Sequence, residues 1–375
     1  MKVCVITSVL DAYKGGNHLP LMAACFDTEF TIVCNRSKVS SKDLPVNVTV
    51  VIVPGRMGPY YYGVLDFFFA RVVMRTYPPD SLFWKQFSVI HINQMMGPAL
   101  RCLRHTGVPF LFFIHHPVTA DRMIAMKETN GVARILWYFK YFLLVQWQKR
   151  MCEVADRIVT VSRTMHDRIA KDYSCEQSKI FVVPNGVNGH LFKQAVDADC
   201  DTDVIAIGSF VHPRKGFRYL ADVYMALAAN GIRIADVGRR TNEQVDILKG
   251  IPGVMVYGTV EEEVLIRLVQ RSRVLVSTSL FEGFGLSLIE ALSCGRPAFA
   301  FAVGAVPEIL GTIDPSLIIP ERDVHQMVRA IERYIALSSA ERDANSMRYQ
   351  KEILLQYSLE ASANALQLVY EELSS

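Results

Sequence analysis

The chain has 375 residues, 51% hydrophobic and 21% charged, which is room for two globular domains and unlike a disordered segment. Its formal net charge of +3 is uneven: residues up to 188 carry 22 Lys+Arg against 13 Asp+Glu, and the remainder 18 against 24. No Lys/Arg run is interleaved with aromatics on a groove-reading element, which argues against nucleic acid, and eight scattered cysteines with no CxxC spacing argue against a disulfide framework or zinc cluster.

MKVCVITSV opens the chain as a strand, with neither a basic n-region nor a cleavage site, so no signal peptide is expected. No run reaches the ~18 uncharged apolar residues of a spanning helix. With cysteines suited to reduced thiols, the expectation is a cytoplasmic protein, soluble or peripheral on the inner face of a membrane. Gly15 and Gly16 follow the strand in a loop where the backbone can approach a ligand closely, although glycines in such loops also serve turns alone.

Further short β-branched runs follow in the first half: FTIVCN, VTVVIVP, SVIHIN, FLFFIHH, RIVTVS and KIFVVP. Apolar runs of this length, alternating with helical stretches, read as βα units around a parallel sheet buried on both faces. FLFFIHHPVTADR puts His115 and His116 at the carboxyl end of a strand, where such sheets bind ligands, with Asp121 and Arg122 on the same loop. Either histidine could instead cap the strand, and Asp121 and Arg122 could form a surface ion pair.

ARILWYFKYFLLVQWQKRM, residues 133 to 151, is apolar nearly all round its helix, which predicts burial. The alternative is an interfacial helix turning Trp137, Trp147, Lys140, Lys149 and Arg150 toward lipid, and VLDFFFARVVMR, 64 to 75, raises the same question. Contact with an anionic membrane is therefore a possible partnership of the basic half.

PNGVNGHLFKQAVDADCDTD, 184 to 203, is rich in turn formers and acid and marks the domain break. Its alternating aspartates lie away from any strand end and read as solvated acid, not as a metal site. A second series follows: DVIAIGSF, RIADVG, VMVYG, VLVSTS, PAFAF and SLIIP. Two series mean two doubly wound α/β domains, 1–188 and 200–357, with a C-terminal helix over 358–375 free to cross back to the first.

The most informative stretch is FEGFGLSLIEALSCGRP, 281 to 297. It reads as a glycine loop after a strand, then a helix ended by Gly295 with Pro297 beyond. Gly283 and Gly285 let the backbone come close, and the helix's first free N–H groups make an anion site. Glu282 beside it and Glu290 within the helix can accept hydrogen bonds from hydroxyls. One anion between two hydroxyl acceptors describes a sugar, a phosphate and a ribose in a row.

SLFEGFGLSLIEALSCGRPAFAFAVGAVPEIL resembles the nucleotide-sugar signature of glycosyltransferase family 4, retaining enzymes of the two-Rossmann architecture called GT-B. The E-x(7)-E pair, the GFG loop, EA-x-x-CG-x-P and G-x-VPE match in order, joined by VVPNGV at 182–187, IGSF…RKG at 207–216 and VYGTVEEEVL at 256–265. The resemblance implies two facing domains, with a nucleotide-sugar donor held on the second. Glu290 resembles the glutamate on the ribose, Glu282 the one on the transferred sugar, and Lys215 the lysine that neutralises the leaving diphosphate. The amides of Phe284, Gly285 and Leu286 would meet the diphosphate. His115, separated from Pro109 by five residues, matches the histidine that positions the sugar, and His116, Asp121 and Arg122 would face the acceptor. The family usually has an arginine after the strand's glycine; here Ser209 follows Gly208, and Arg214 could supply the charge. No cofactor or metal is implied. UDP-sugars are the first expectation for the donor and GDP-sugars the next, with a glycan, lipid-linked or small-molecule acceptor. The rivals are a nucleotide-sugar epimerase of similar fold and a non-catalytic sugar-nucleotide-binding subunit.

Overall fold

The computed structural model describes residues 1–11, 18–53, 64–94, 97–194 and 200–375. Gly15 and Gly16, like Asp197 and Asp199 of the acidic stretch, lie outside the described residues. Among the described residues no helix is long and apolar enough to cross a membrane.

The chain divides into two compact units, Met1–Met126 with Asn130–Gly186 and Leu359–Ser375, and Lys127–Thr129 with Val187–Ser358. The first is built on a seven-stranded sheet whose spatial order is Val48–Ile52, Glu29–Cys34, Lys2–Ile6, Val89–Asn93, Phe110–Ile114, Arg157–Thr160 and Ile180–Val182. All its pairings are parallel. The strand FLFFI is buried at every position, as a sheet covered on both faces requires. Sequential strands step outward from Lys2–Ile6 on one side and then resume on its other side at Val89–Asn93, so the order reverses between those two.

The second unit repeats the plan with six parallel strands, ordered Val254–Gly258, Ile234–Val237, Thr202–Ile207, Ser272–Ser277, Ala298–Phe301 and Ile318–Ile319. Its reversal falls between Thr202–Ile207 and Ser272–Ser277. In open parallel sheets that is where the following loops diverge and leave a crevice for ligand. A buried ion pair underlies this end of the sheet. Arg240 Nη2 donates to Asp236 Oδ1 at 2.6 Å and its Nη1 to the Gly208 carbonyl at 2.6 Å, while Tyr224 Oη donates to the same Asp236 oxygen at 3.0 Å. Burial pushes Asp236 upward and Arg240 opposes it.

Two helices close the chain. Ser339–Tyr357 starts on a reciprocal Ser338/Glu341 capping box and belongs to the second unit, whereas Leu359–Ser374 belongs to the first. There Tyr370 Oη meets His91 Nδ1 at 2.6 Å in the buried centre of the Val89–Asn93 strand, and Thr28 Oγ1 donates to Gln367 Oε1 at 2.7 Å.

The all-round burial expected over 133 to 151 holds for one face only. In the helix Gly131–Val154, Tyr141, Leu144, Gln148, Met151 and Cys152 are buried, but Val132, Ile135, Leu136, Phe139 and Leu143 are exposed. The periodicity was too uniform to say where the covering neighbours end. The acidic stretch also differs from free solvated acid: Asp201 pairs with Arg271 at 2.6 Å, and Asp203 forms ion pairs with Arg233 and Arg273 at 3.1 and 3.2 Å.

Candidate active site

At the second unit's order reversal, two loops are locked together. The first, after Thr202–Ile207, runs through Gly208 and Ser209 into the turn Pro213–Lys215 and the helix Phe217–Ala228. The second, after Ser272–Ser277, runs through Glu282 into the helix Leu286–Ser293. Leu280 N donates to the Arg214 carbonyl at 2.7 Å, and Thr278 Oγ1 to the Gly216 carbonyl at 3.2 Å. Gly216 has φ +68°, and a Cβ there would stand 2.2 Å from the Thr278 carbonyl oxygen, so only glycine allows this approach. The RKG triplet is thus a packing device that delivers two cations to the neighbouring loop.

Both cations converge on Glu282. Lys215 Nζ lies 2.5 Å from Oε1, and Arg214 Nη1 lies 3.8 Å from Oε2. Burial alone would raise this carboxyl, but Lys215 and Arg214, with hydrogen bonds from Lys215 and Ser279, hold it down at about 2. Glu282 is therefore ionised throughout the neutral range, and one carboxylate against two cations leaves the cluster net positive. Gly304 fixes its backbone: φ is +54°, a Cβ would fall 2.0 Å from the Glu282 carbonyl oxygen, and Ala305 N donates to that oxygen at 2.9 Å.

The helix Leu286–Ser293 begins at Gly285, with φ +99° and no side-chain cap. Leu288 N returns to the Gly285 carbonyl at 2.9 Å, but among the described residues the amides of Phe284, Gly285 and Leu286 find no acceptor. The Phe284 ring is buried against Tyr357, 5.5 Å between centroids, so only its backbone is available to a ligand. Gly283 is buried in the same loop and Ser209 is exposed. Uncapped amides next to a net positive cluster form an anion site.

Glu290 is the electrostatic opposite of Glu282. Its carboxyl is buried and receives no hydrogen bond from a described residue, and burial together with the like charge of Glu262 pushes it up to about 7. A buried carboxyl without donors is costly unless a ligand supplies them.

In the first unit, His115 N donates to Gln94 Oε1 at 3.1 Å, and its Nε2 lies 3.3 Å from Asn93 Oδ1. Gln94 is buried and has φ +47°, unusual for a side-chain-bearing residue, at that sheet's own order reversal. Asp121 pairs with His116 Nε2 at 3.0 Å. It does not pair with Arg122, whose guanidinium sits 5.5 Å from the Tyr138 ring centroid. The helix Val118–Glu128 carries Asp121 on its first turn, which turns that carboxylate back toward the strand end.

The structure thus groups Arg214, Lys215 and Glu282 beside the amides of 284–286, and His115 with Asn93 and Gln94. Sequence reasoning missed Ser279, Glu262, Asn93, Gln94 and the Asp236–Arg240 pair. Only the pair left a signal, an aspartate inside an otherwise apolar strand, IADV.

Residues 26–190 match the family model Glycosyltransferase Family 4, and residues 201–336 match Glycosyl transferases group 1. The MMP α-(1→4)-mannosyltransferase of Mycolicibacterium hassiacum is 28% identical over 66% of this chain and 62% of its own. One component of the phosphatidylinositol N-acetylglucosaminyltransferase of Arabidopsis thaliana is 26% identical over 58% of this chain and 49% of its own. The chain therefore spans between about half and just under two thirds of these curated relatives. Among solved structures, sucrose-phosphate synthase from Thermosynechococcus elongatus superposes with a TM-score of 0.76 at 19% identity, over 99% of this chain and 98% of that one. Anabaena HepE, solved with UDP-glucose, gives 0.73 at 15% identity, over 100% and 99%. These likenesses fix the fold as GT-B, with parallel sheets in two α/β domains. Matched along most of its length, the chain belongs to glycosyltransferase family 4.

Proposed function

We propose that the protein is a retaining hexosyltransferase that moves a sugar from a nucleoside diphosphate sugar, UDP-linked first and GDP-linked next, to an acceptor hydroxyl. The carrying observation is the net positive Arg214–Lys215–Glu282 cluster beside three uncapped amides at the second unit's order reversal. In this reading the diphosphate rests on the amides of Phe284, Gly285 and Leu286. Glu282 accepts hydrogen bonds from the sugar's hydroxyls, and Glu290 takes the two hydroxyls of the ribose. The acceptor oxygen bonds to the anomeric carbon as the bond from that carbon to the phosphate oxygen breaks, and the acceptor's proton passes to the departing diphosphate. Negative charge grows on that oxygen, and Lys215 and Arg214 stabilise it most at that moment. His115, braced by Asn93 and Gln94, positions the sugar, and His116, Asp121 and Arg122 serve the acceptor, a glycan, a lipid-linked saccharide or a small molecule. HepE, solved with UDP-glucose, supports a UDP-sugar, and the mannosyltransferase relative supports a hexose.

The test is a thermal-shift panel of UDP-, GDP- and ADP-sugars, followed by acceptor screening with the stabilising donor and NMR of the product's anomeric proton. An α-linked product from an α-linked donor is expected. An inverted product refutes retention, a changed sugar nucleotide without acceptor assigns an epimerase, and binding without turnover assigns a non-catalytic binding protein.

A further inference from the structure

The first unit carries a surface that the sugar-transfer reading does not use. In the helix Gly131–Val154, Val132, Ile135, Leu136, Phe139 and Leu143 recur at i, i+3, i+4, i+7 and i+11, one stripe along its outer side. The opposite side is the buried one. Leu136 and Phe139 are 66% and 64% exposed, so no described element covers the stripe. On the helix Val64–Thr76, joined to this one where Phe67 stacks on Trp147 at 5.6 Å, Phe68 is also 52% exposed. Soluble monomers seldom expose so contiguous an apolar patch, and scattered single leucines would not form a stripe.

Charge and aromatic placement identify the occupant. From Gly131 to Met151 the helix holds Arg134, Lys140, Lys149 and Arg150 and no acid. Tyr138 and Phe142 flank the stripe, and Lys140 Nζ lies over the rings of Trp137 at 4.5 Å and Tyr141 at 5.5 Å, where the helix turns from its exposed to its buried side. An apolar strip rimmed by cations and aromatic rings complements a negatively charged lipid interface. An acidic protein would call for the cations to be central, not peripheral. At 24 residues the helix has the length to span, but not the apolarity, so it lies in the interfacial plane. We infer that this helix docks the protein on anionic membrane, its Val132–Leu143 stripe inserted among the acyl chains and its basic side chains on the headgroups.

The experiment is flotation of the whole protein with vesicles of phosphatidylcholine alone, and of phosphatidylcholine with one third phosphatidylglycerol, at low and high salt. The wild type is expected to float with the anionic vesicles and less so at high salt. Leu136→Ser/Phe139→Ser and Lys149→Glu/Arg150→Glu should each lower the bound fraction about tenfold, with unchanged melting curves. The charge pair is the second line of test should the apolar pair unfold the protein. Wild type that stays unbound at low salt overturns the inference, as does flotation of both variants equal to wild type. A wild-type dimer in light scattering that Leu136→Ser/Phe139→Ser turns into a monomer would give the surface to a second copy instead.

Discussion

Glu290→Gln separates what the fold wants from what the ligand wants. An ordinary glutamate titrates at 4.5, and Glu290 in the folded protein at about 7. Between those values the unfolded chain has lost a proton that the folded one keeps, so stability falls as pH rises through the window. The full difference, about 2.5 pH units at about 1.4 kcal/mol each, comes to about 3 kcal/mol above pH 7. Glutamine mimics the protonated acid and does not ionise. The variant should therefore come within about 1 kcal/mol of wild type at pH 5 and exceed it by about 3 kcal/mol at pH 8, a rise in melting temperature on the order of 6–12 °C for a unit of this size. Ligand binding should run the other way. Hydroxyls donate to a carboxylate, so the affinity of wild type for a nucleoside diphosphate sugar should climb between pH 6 and 8, while the variant binds weakly and without that slope. The assays are urea unfolding and donor titration, both across pH 5 to 8.5. A stability difference that does not change with pH would refute the reasoning, because it would mean that the carboxyl is already ionised at pH 5.

Lys215→Ala removes the cation at 2.5 Å from Glu282 and leaves Arg214 at 3.8 Å; transfer should drop by about 10²-fold or more in kcat, and full turnover would remove Lys215 from the site. The stability that Glu282 contributes is present above pH 4.5 and disappears as pH falls toward 2, and this acid-side loss should shrink in Lys215→Ala, as pH-dependent unfolding would reveal. Gly216→Ala forces a Cβ to 2.2 Å from the Thr278 carbonyl at a left-handed φ; it should cost about 2 kcal/mol or more and slow transfer, both measured on the purified variant. Arg240→Leu strands the fully buried Asp236 and should destabilise the second unit by about 3–5 kcal/mol, while Asp236→Leu/Arg240→Leu should recover most of that in urea melts.

Every strand of the two large sheets falls on one of the thirteen β-branched runs, because strands buried on both faces must be apolar throughout and so announce themselves. The two-residue strands Val9–Leu10 and Arg36–Ser37 have no such pattern and were not foreseen. The glutamates and the RKG triplet were legible because glycines and charges stand together at strand ends. What pairs with them was not. Asp121 chooses His116 over its neighbour Arg122 through the turn of a helix, and the height of Glu290 on the pH scale depends on burial and on Glu262, 28 positions earlier. The exposed side of Gly131–Val154 was hidden for a related reason: composition says how apolar a helix is, and only its neighbours say which side they reach.

The return of Leu359–Ser374 to the first sheet has a consequence for biosynthesis. Tyr370 meets His91 in the first sheet, so the first unit cannot be completed until Leu359–Ser374 has left the exit tunnel. The later half, Val187–Ser358, leaves the exit tunnel with all but three of its residues contiguous and can finish first. A chaperone binding the nascent chain would then find its longest-lived unpaired apolar surface around Phe30 and His91, at the groove awaiting the last helix.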